Sequence, residues 1–316
     1  MQNLDIFSPA QYTEAVPAHF KEDYAVYELI QAGSHTYYID SPTKIGICLT
    51  DAGAYLIDSG NSKDAGKKVR QILEKNGWPL LGILNTHSHA DHVGGNRFLQ
   101  DRTGCAVFAH GIEGAFTEHP ILESSFLYGG CPCRDLRHKF LLAQDSRVSP
   151  FTDPAFPSQI EVIPLPGHSF DMVGFRTPDN VVFLADCVAS QVTLEKYAVS
   201  FLYDVDAFLT TLDRVESMQA ALFVPSHAEA AADIQDLVRC NRAAVHQVAD
   251  RLLEICRRPL PFEQILAQIF QLCGLTMSFE QYALVGSTVR SYLAWLRDHN
   301  RIEVDIHENL LLWRSL

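Results

Sequence analysis

The sequence predicts a large α/β domain followed by a small, mainly helical unit with a winged-helix-like end. Three observations carry that expectation. Short β-branched and aromatic runs alternate with helical segments as far as about residue 233. After Ile234 the pattern changes to longer helical faces. At 316 residues the chain is also long enough for two cores rather than one.

Ala25–Tyr38 and Lys44–Ile57 read as extended, with Asp51-Ala52-Gly53 supplying a hairpin turn. Ser62–Asn76 reads as a helix with Lys75 in its last turn and Gly77 as its stop. Leu80–Asn85 is a short apolar strand that runs straight into Thr86-His87-Ser88-His89-Ala90-Asp91-His92. Gly94-Gly95 opens another helix, and Cys105–Ala109 returns as a strand. Residues 114–150 follow neither period and read as an insertion; a connection this long in a compact domain is usually functional or flexible. Gln159–Leu165 is a strand ending in Pro166-Gly167-His168, and Val173–Arg176 with Val181–Ala185 form a hairpin around Pro178-Asp179-Asn180. Leu222–Pro225 is a last short strand, ending in Ser226-His227.

The first domain is therefore placed at residues 1–233 and a connecting helix at 234–258. In the third part, 259–316, Phe262, Ile265, Leu266, Ile269 and Phe270 share one helical face; Val285, Val289, Tyr292, Leu293 and Leu296 share another. The alternation of Ile302, Val304 and Ile306, then Leu310 and Leu312, closes the chain as a hairpin.

Composition excludes several classes. A hydrophobic share of 47% and a charged share of 20% are those of a globular protein. No apolar run approaches the roughly 18–20 residues a membrane span requires. The first residues show neither a basic start nor an apolar stretch, so the expected location is cytoplasmic. A net charge of -13 repels polyanions, and residues 258–316 hold five basic against six acidic side chains. Nucleic acid is thus an unfavoured partner, and the apolar content of the C-terminal unit suits packing or a homodimer. Eight scattered cysteines read as reduced thiols.

The chemistry concentrates where strands end. His87, His89, Asp91 and His92 place four nitrogen or oxygen ligands within six residues, immediately after a strand. His168, Asp186 and His227 each follow an apolar strand, as does Asp58 in Ile57-Asp58-Ser59-Gly60. Five histidines and two aspartates suit two divalent metals sharing one carboxylate. Asp58 then remains to orient a ligand histidine from behind. The His/Asp set makes zinc the first choice, with iron or manganese as alternatives.

The ordered set Asp58, His87-x-His89-x-Asp91-His92, His168, Asp186, His227 resembles the metallo-β-lactamase fold superfamily over residues 20–230. It looks most like the glyoxalase II-like branch, because Asp186 stands where true β-lactamases typically carry a cysteine. The resemblance implies an αβ/βα sandwich with a dinuclear site at one edge. It assigns His87, His89 and His168 to one metal, Asp91, His92 and His227 to the other, and Asp186 as the bridge. The implied activity is hydrolysis of a small ester, thioester or lactone by a metal-bound hydroxide, with Asp91 able to take a proton. A ribonuclease or phosphodiesterase of the same fold and a mononuclear iron persulfide dioxygenase are the alternatives.

Weaker signals lie in the insertion. Arg134, Arg137, Lys139 and Arg147 face only Asp135 and Asp145 between residues 131 and 147, and Phe126 and Tyr128 precede them. Phe126, Tyr128, Arg134, Arg137 and Lys139 are therefore candidate contacts for a small, anionic substrate, with packing of the insertion as the competing reading. Cys131-Pro132-Cys133 with His138 lacks a fourth ligand and reads as loop thiols. Cys187, one residue past Asp186, should face the core by strand alternation.

Overall fold

A computed structural model describes residues 27–316. Ala25 and Val26 of the first expected strand, and the N-terminal segment before them, lie outside the described residues. The remainder of that first run is two strands, β1 (Glu28–Gln31) and β2 (Thr36–Asp40), antiparallel across a turn at residues 32–35. Gly33 in this turn abuts the Asp179 side chain, where an added Cβ would lie 2.5 Å from its Oδ2.

Six strands form the first sheet in sequential order: β1, β2, β3 (Ile45–Thr50), β4 (Gly53–Ile57), β5 (Leu80–Leu84) and β6 (Ala106–Phe108). The first four pair antiparallel; β4, β5 and β6 run parallel. Between them lie α1 (Lys63–Lys75), α2 (Ala90–Val93) and α3 (Asn96–Thr103). Ser62 caps α1 by accepting the Ala65 N–H. The insertion is more regular than its sequence suggests, holding α4 (Gly111–Glu118), α5 (Ile121–Tyr128) and a 3-10 turn at Arg134–Leu136. The helices are only eight residues each, too short for an apolar period to stand out.

The second sheet has the order β10-β9-β8-β7, made of β7 (Glu161–Pro164), β8 (Val173–Arg176), β9 (Val181–Ala189) and β10 (Leu222–His227). Strand β9 runs four residues beyond its expected end, so Asp186 lies within it. The strand kinks there: Ala185 has φ 50°, and the register to β10 shifts beside it. Helices α6 (Gln191–Tyr197) and α7 (Val205–Ser217) connect β9 to β10.

Apolar residues fill three spaces. Ile47, Leu56, Ile83, Val69 and Leu99 pack the first sheet on α1 and α3. Tyr38, Leu84, Phe108, Phe175 and Phe183 fill the space between the sheets. The third and largest cluster joins Leu184, Cys187 and Leu212 to Val238, Val245 and Leu252 of α8 (Gln235–Ile255). It continues into the C-terminal elements β11 (Leu260–Pro261), α9 (Phe262–Leu272), α10 (Phe279–Asp298), β12 (Ile302–His307) and β13 (Leu310–Ser315). Cys187 is fully buried in this cluster, on the face opposite Asp186. Layers of helix, sheet, sheet and helix result, with helix-plus-hairpin elements on the outer side. The β12–β13 turn is Glu308-Asn309, both left-handed, as tight hairpin turns demand.

Candidate metal centre

Strand ends and the loops after them build the site. The backbone hands over from β4 at Asp58, whose φ of 62° lets its carboxylate turn under the β5 loop. Gly95 permits the two loops to meet, since a Cβ there would lie 2.4 Å from the Ser59 carbonyl oxygen. Gly167 serves the His168 loop similarly: its φ is 121°, and a Cβ would lie 2.3 Å from Phe208 N.

Two clusters of ligand atoms form, His87/His89/His168 and Asp91/His92/Asp186/His227, each with its donor atoms within 4.8 Å of one another. In the first, His87 Nε2 and His168 Nε2 each stand 3.0 Å from His89 Nδ1. In the second, His92 Nε2 is 3.1 Å from Asp186 Oδ1, and His227 Nε2 is 3.2 Å from Asp186 Oδ2 and 3.3 Å from Asp91 Oδ2. Asp186 Oδ2 also reaches to 3.5 Å of His168 Nε2, so one carboxylate touches both clusters.

The hydrogen bonds behind the ligands fix which nitrogen points inward. Asp58, 1% exposed, accepts from Thr86 N at 2.8 Å, Thr86 Oγ1 at 2.7 Å and His92 Nδ1 at 2.8 Å. The Thr86 hydroxyl spends its one proton on Asp58, so at 3.0 Å it accepts from His87 Nδ1. His168 Nδ1 donates to the Phe201 carbonyl at 3.1 Å. His87, His92 and His168 thus each aim a bare or titratable Nε2 at the centre. His92 Nε2 and Asp186 Oδ1 are buried and face each other, with no further hydrogen-bond partner among the described residues. The histidine nitrogens and carboxylate oxygens that converge here are a donor set that a divalent cation binds by displacing protons. Tetrahedral donors around an ion at about 2.0–2.1 Å stand roughly 3.3–3.4 Å apart, close to the spacings here.

The two halves differ in charge. Burial holds His89 and His168 down to about 4 and His87 well below its ordinary value, so this half is neutral at pH 7. Burial also opposes charge on His92 and His227. There Asp186 and Asp91 win, raising His92 well above its ordinary range and His227 to about 10. The same pairing holds both carboxylates down despite their burial.

Sequence reasoning missed several supports. Buried Glu113 of α4 accepts from Ser88 N and Oγ on one Oε, and from Ser169 Oγ and Asp171 N on the other. It therefore ties the first histidine loop to the His168 loop. Glu123 of α5 stands 3.6 Å from His89 Nε2; burial and the Glu113 charge push it up to about 8. The Phe201 ring packs edge-on against His89 and His168. None of these has a local sequence signal, because each acts on residues tens of positions away.

Of the proposed substrate contacts, Phe126 meets Phe170 and Tyr203 beside the His168 loop. Tyr128 instead packs on Phe279 of α10. Arg134 is exposed, Arg137 donates to its own loop at Pro132 O, and Lys139 lies over Phe140. Cys131 and Cys133 are exposed free thiols, and His138 pairs with Glu280 of α10 at 2.8 Å. Among the described residues no metal-ligating cluster forms around them.

The Metallo-beta-lactamase superfamily profile matches residues 13–227, a span that contains every ligand above. The chain belongs to that superfamily. A hydroxyacylglutathione hydrolase from Bradyrhizobium sp. (strain ORS 278) is 32% identical over 157 residues, covering 46% of this chain and 52% of the relative. A linear primary-alkylsulfatase from Pseudomonas sp. is 22% identical over 78% of this chain and 54% of its own length. The chain thus spans about half the length of these curated relatives. Among solved structures, a beta-lactamase domain protein from Burkholderia ambifaria aligns with a TM-score of 0.68 over 92% of this chain and 94% of the other, at 17% identity. A metallo-beta-lactamase family protein from Thermus thermophilus gives the same TM-score at 18% identity, over 89% and 99%. These alignments extend past the profile match into the C-terminal elements. Within this superfamily fold the chain gathers two groups of metal-ligating side chains, one of three histidines and one of two histidines and two aspartates. Among the described residues, no helix is long and apolar enough to cross a membrane.

Proposed function

We propose that this superfamily member is a dinuclear hydrolase that cleaves small thioesters, with esters and lactones as neighbouring substrates. The observation that carries the reading is Asp186, whose carboxylate faces both ligand clusters at 3.1–3.5 Å. His87, His89 and His168 would hold one divalent ion, Asp91, His92 and His227 the other; zinc suits this set. Such ions supply a Lewis acid and a water acidified to near neutrality. The hydroxyacylglutathione hydrolase relatives, named for a thioester substrate, support the choice of bond.

The chain's own residues do the rest. Asp58 fixes the His92 ring, and through Thr86 the His87 ring. Thr43 Oγ1 donates to Asp91 Oδ2 at 3.1 Å, which orients that carboxylate. The Asp91 side chain is 42% exposed, so its Oδ1 can take a proton from the attacking water. We assign residues 1–233 to this chemistry and 259–316 to bracing the insertion, on the Tyr128–Phe279 and His138–Glu280 contacts. Eight free thiols suit a reducing cytoplasm.

The test is an activity panel of thioesters, esters, lactones, phosphodiesters and single-stranded RNA on metal-analysed protein. Thioester turnover with two metals per chain is expected. Turnover of RNA alone would replace this reading with a nuclease, and one iron per chain with persulfide oxidation would replace it with an oxygenase.

A further inference from the structure

Three separate segments place aromatic rings beside the first ligand cluster. Phe116 and Phe126 come from α4 and α5, Phe170 follows His168 by two residues, and Phe201 and Tyr203 come from the stretch between α6 and α7. Phe170 and Tyr203 stack with centroids 4.0 Å apart, and Phe126 closes on both at 5.1 and 5.7 Å. Phe116 packs on Phe170 at 5.2 Å. Phe201 lies 5.2 Å from the His89 ring and 5.6 Å from the His168 ring. Tyr203 is locked to the same loop, its N–H donating to Gly167 O at 3.0 Å.

All five rings are only half-buried, although packing them further would be favourable. Phe201 lies directly against two ligand histidines, and Phe170 and Tyr203 are held on the loop that carries His168. Of the insertion's basic side chains, Arg137 donates to Pro132 O, Lys139 lies over Phe140, and Arg134 is exposed. The polar group that α5 turns toward His89 is the Glu123 carboxyl, one helical turn from Phe126, and it brings no positive charge to the wall. An anionic substituent would meet aromatic rings and no cationic side chain of the wall itself.

We infer that this wall is the acyl subsite, and that it selects an uncharged, apolar or aromatic acyl group over an anionic one. The inference rests on the hydrolase reading for the identity of the bond cleaved, but the subsite is defined by the rings alone. Each methylene moved from water onto such a surface contributes about 0.8 kcal/mol, close to fourfold in affinity.

Hydroxamates share one metal-chelating head, so varying only the tail isolates the wall. Aceto-, hexano- and phenylacetohydroxamate and succinic monohydroxamate are titrated calorimetrically into the metal-loaded full chain. Hexano- and phenylacetohydroxamate should bind at least tenfold more tightly than aceto- or the succinic compound. The hexano-to-aceto ratio should shrink at least fivefold in Phe126→Ala and Phe170→Ala, and less in Phe126→Leu. Equal affinity across the tails, or tightest binding of the succinic compound, would overturn the subsite in the wild-type protein without recourse to any variant. Tail-dependent binding without hydrolysis of any thioester, ester or lactone would uphold the subsite and refute the hydrolase reading.

Discussion

Replacing Asp58 by Asn tests whether the carboxylate sets the ligand nitrogen of His92. The change is nearly isosteric, and Asn tolerates the left-handed backbone at this position (φ 62°), so strain is not added. The hydrogen bonds are another matter, because Asp58 accepts three of them at 2.7–2.8 Å and donates none. If the amide oxygen stays opposite His92, the NH2 group is driven against the Thr86 N–H. If the amide turns over, its NH2 faces His92 Nδ1, and the His92 proton must move to Nε2, the atom that faces Asp186. Either way a buried donor is stranded, costing about 1–3 kcal/mol of folding stability. The second arrangement also masks a ligand lone pair. Loss of such an orienting partner lowers metal affinity by about 10–100-fold, or roughly 1.4–2.7 kcal/mol. Competition with a chromophoric chelator, following two zinc equivalents, should show this loss at the His92-containing position. The His87/His89/His168 position should lose less, since Thr86 is retained. Equal losses at both positions, or none at the second, would refute the assignment.

Asp186→Asn should weaken both metal positions while circular dichroism shows the fold retained; loss of one metal alone would make this carboxylate terminal. Metal uptake at the Asp91/His92/His227 position displaces protons from His92 and His227, both held well above their ordinary value, so its affinity should rise by up to about tenfold per pH unit for each proton between pH 6 and 8. The other position, with His89 and His168 near 4, should be flat over that range, and two parallel profiles would contradict the charge assignment. Asp179 joins the β8–β9 turn to the β1–β2 turn; hydrogen bonds from Ser34, His35 and Thr36 hold it down to about 2 against the upward push of burial. That stability is present above about pH 4 and is lost as pH falls through about 2, so Asp179→Asn should cost about 1 kcal/mol at pH 7, roughly 2 °C in melting temperature after allowing for its exposure, and little once the pH is well below 2.

Periodicity made much of the fold visible beforehand. The faces Phe262/Ile265/Leu266/Ile269/Phe270 and Val285/Val289/Tyr292/Leu293/Leu296 are buried except for half-buried Phe262 in the first turn, because helices this long repeat the pattern often enough to be read. The four-residue β1 and the eight-residue α4 and α5 are too short to repeat it, and the turn at Gly33 is set by contact with Asp179, about 146 positions away. Likewise the ligand spacing in residues 87–92 is local and stands out, and the structure gathers those side chains with His168, Asp186 and His227. Glu113 and Thr86 are ordinary residues in sequence; only the fold brings Glu113 against Ser88 and Ser169, or Thr86 against Asp58. Charge counting found the basic stretch near Arg134 but carries no information on which way those side chains face.

The two halves of the centre are held in shape by different forces, and this explains where the aromatic rings lie. His92 and His227 alternate with Asp91 and Asp186, so opposite charges hold that half together before any metal binds. His87, His89 and His168 are neutral and meet through ring-to-ring hydrogen bonds, with no opposite charge to hold that half together. Support must therefore come from outside. Phe201 braces two of the three rings edge-on, the Phe201 carbonyl fixes the third contact through His168 Nδ1, and Glu113 pins the loops that carry them. An aromatic flank on this side alone is what an uncharged ligand set requires. Once present, its outer surface is the apolar boundary that a bound acyl group meets, so the same rings that preorganise the first metal position also set what is admitted beside it.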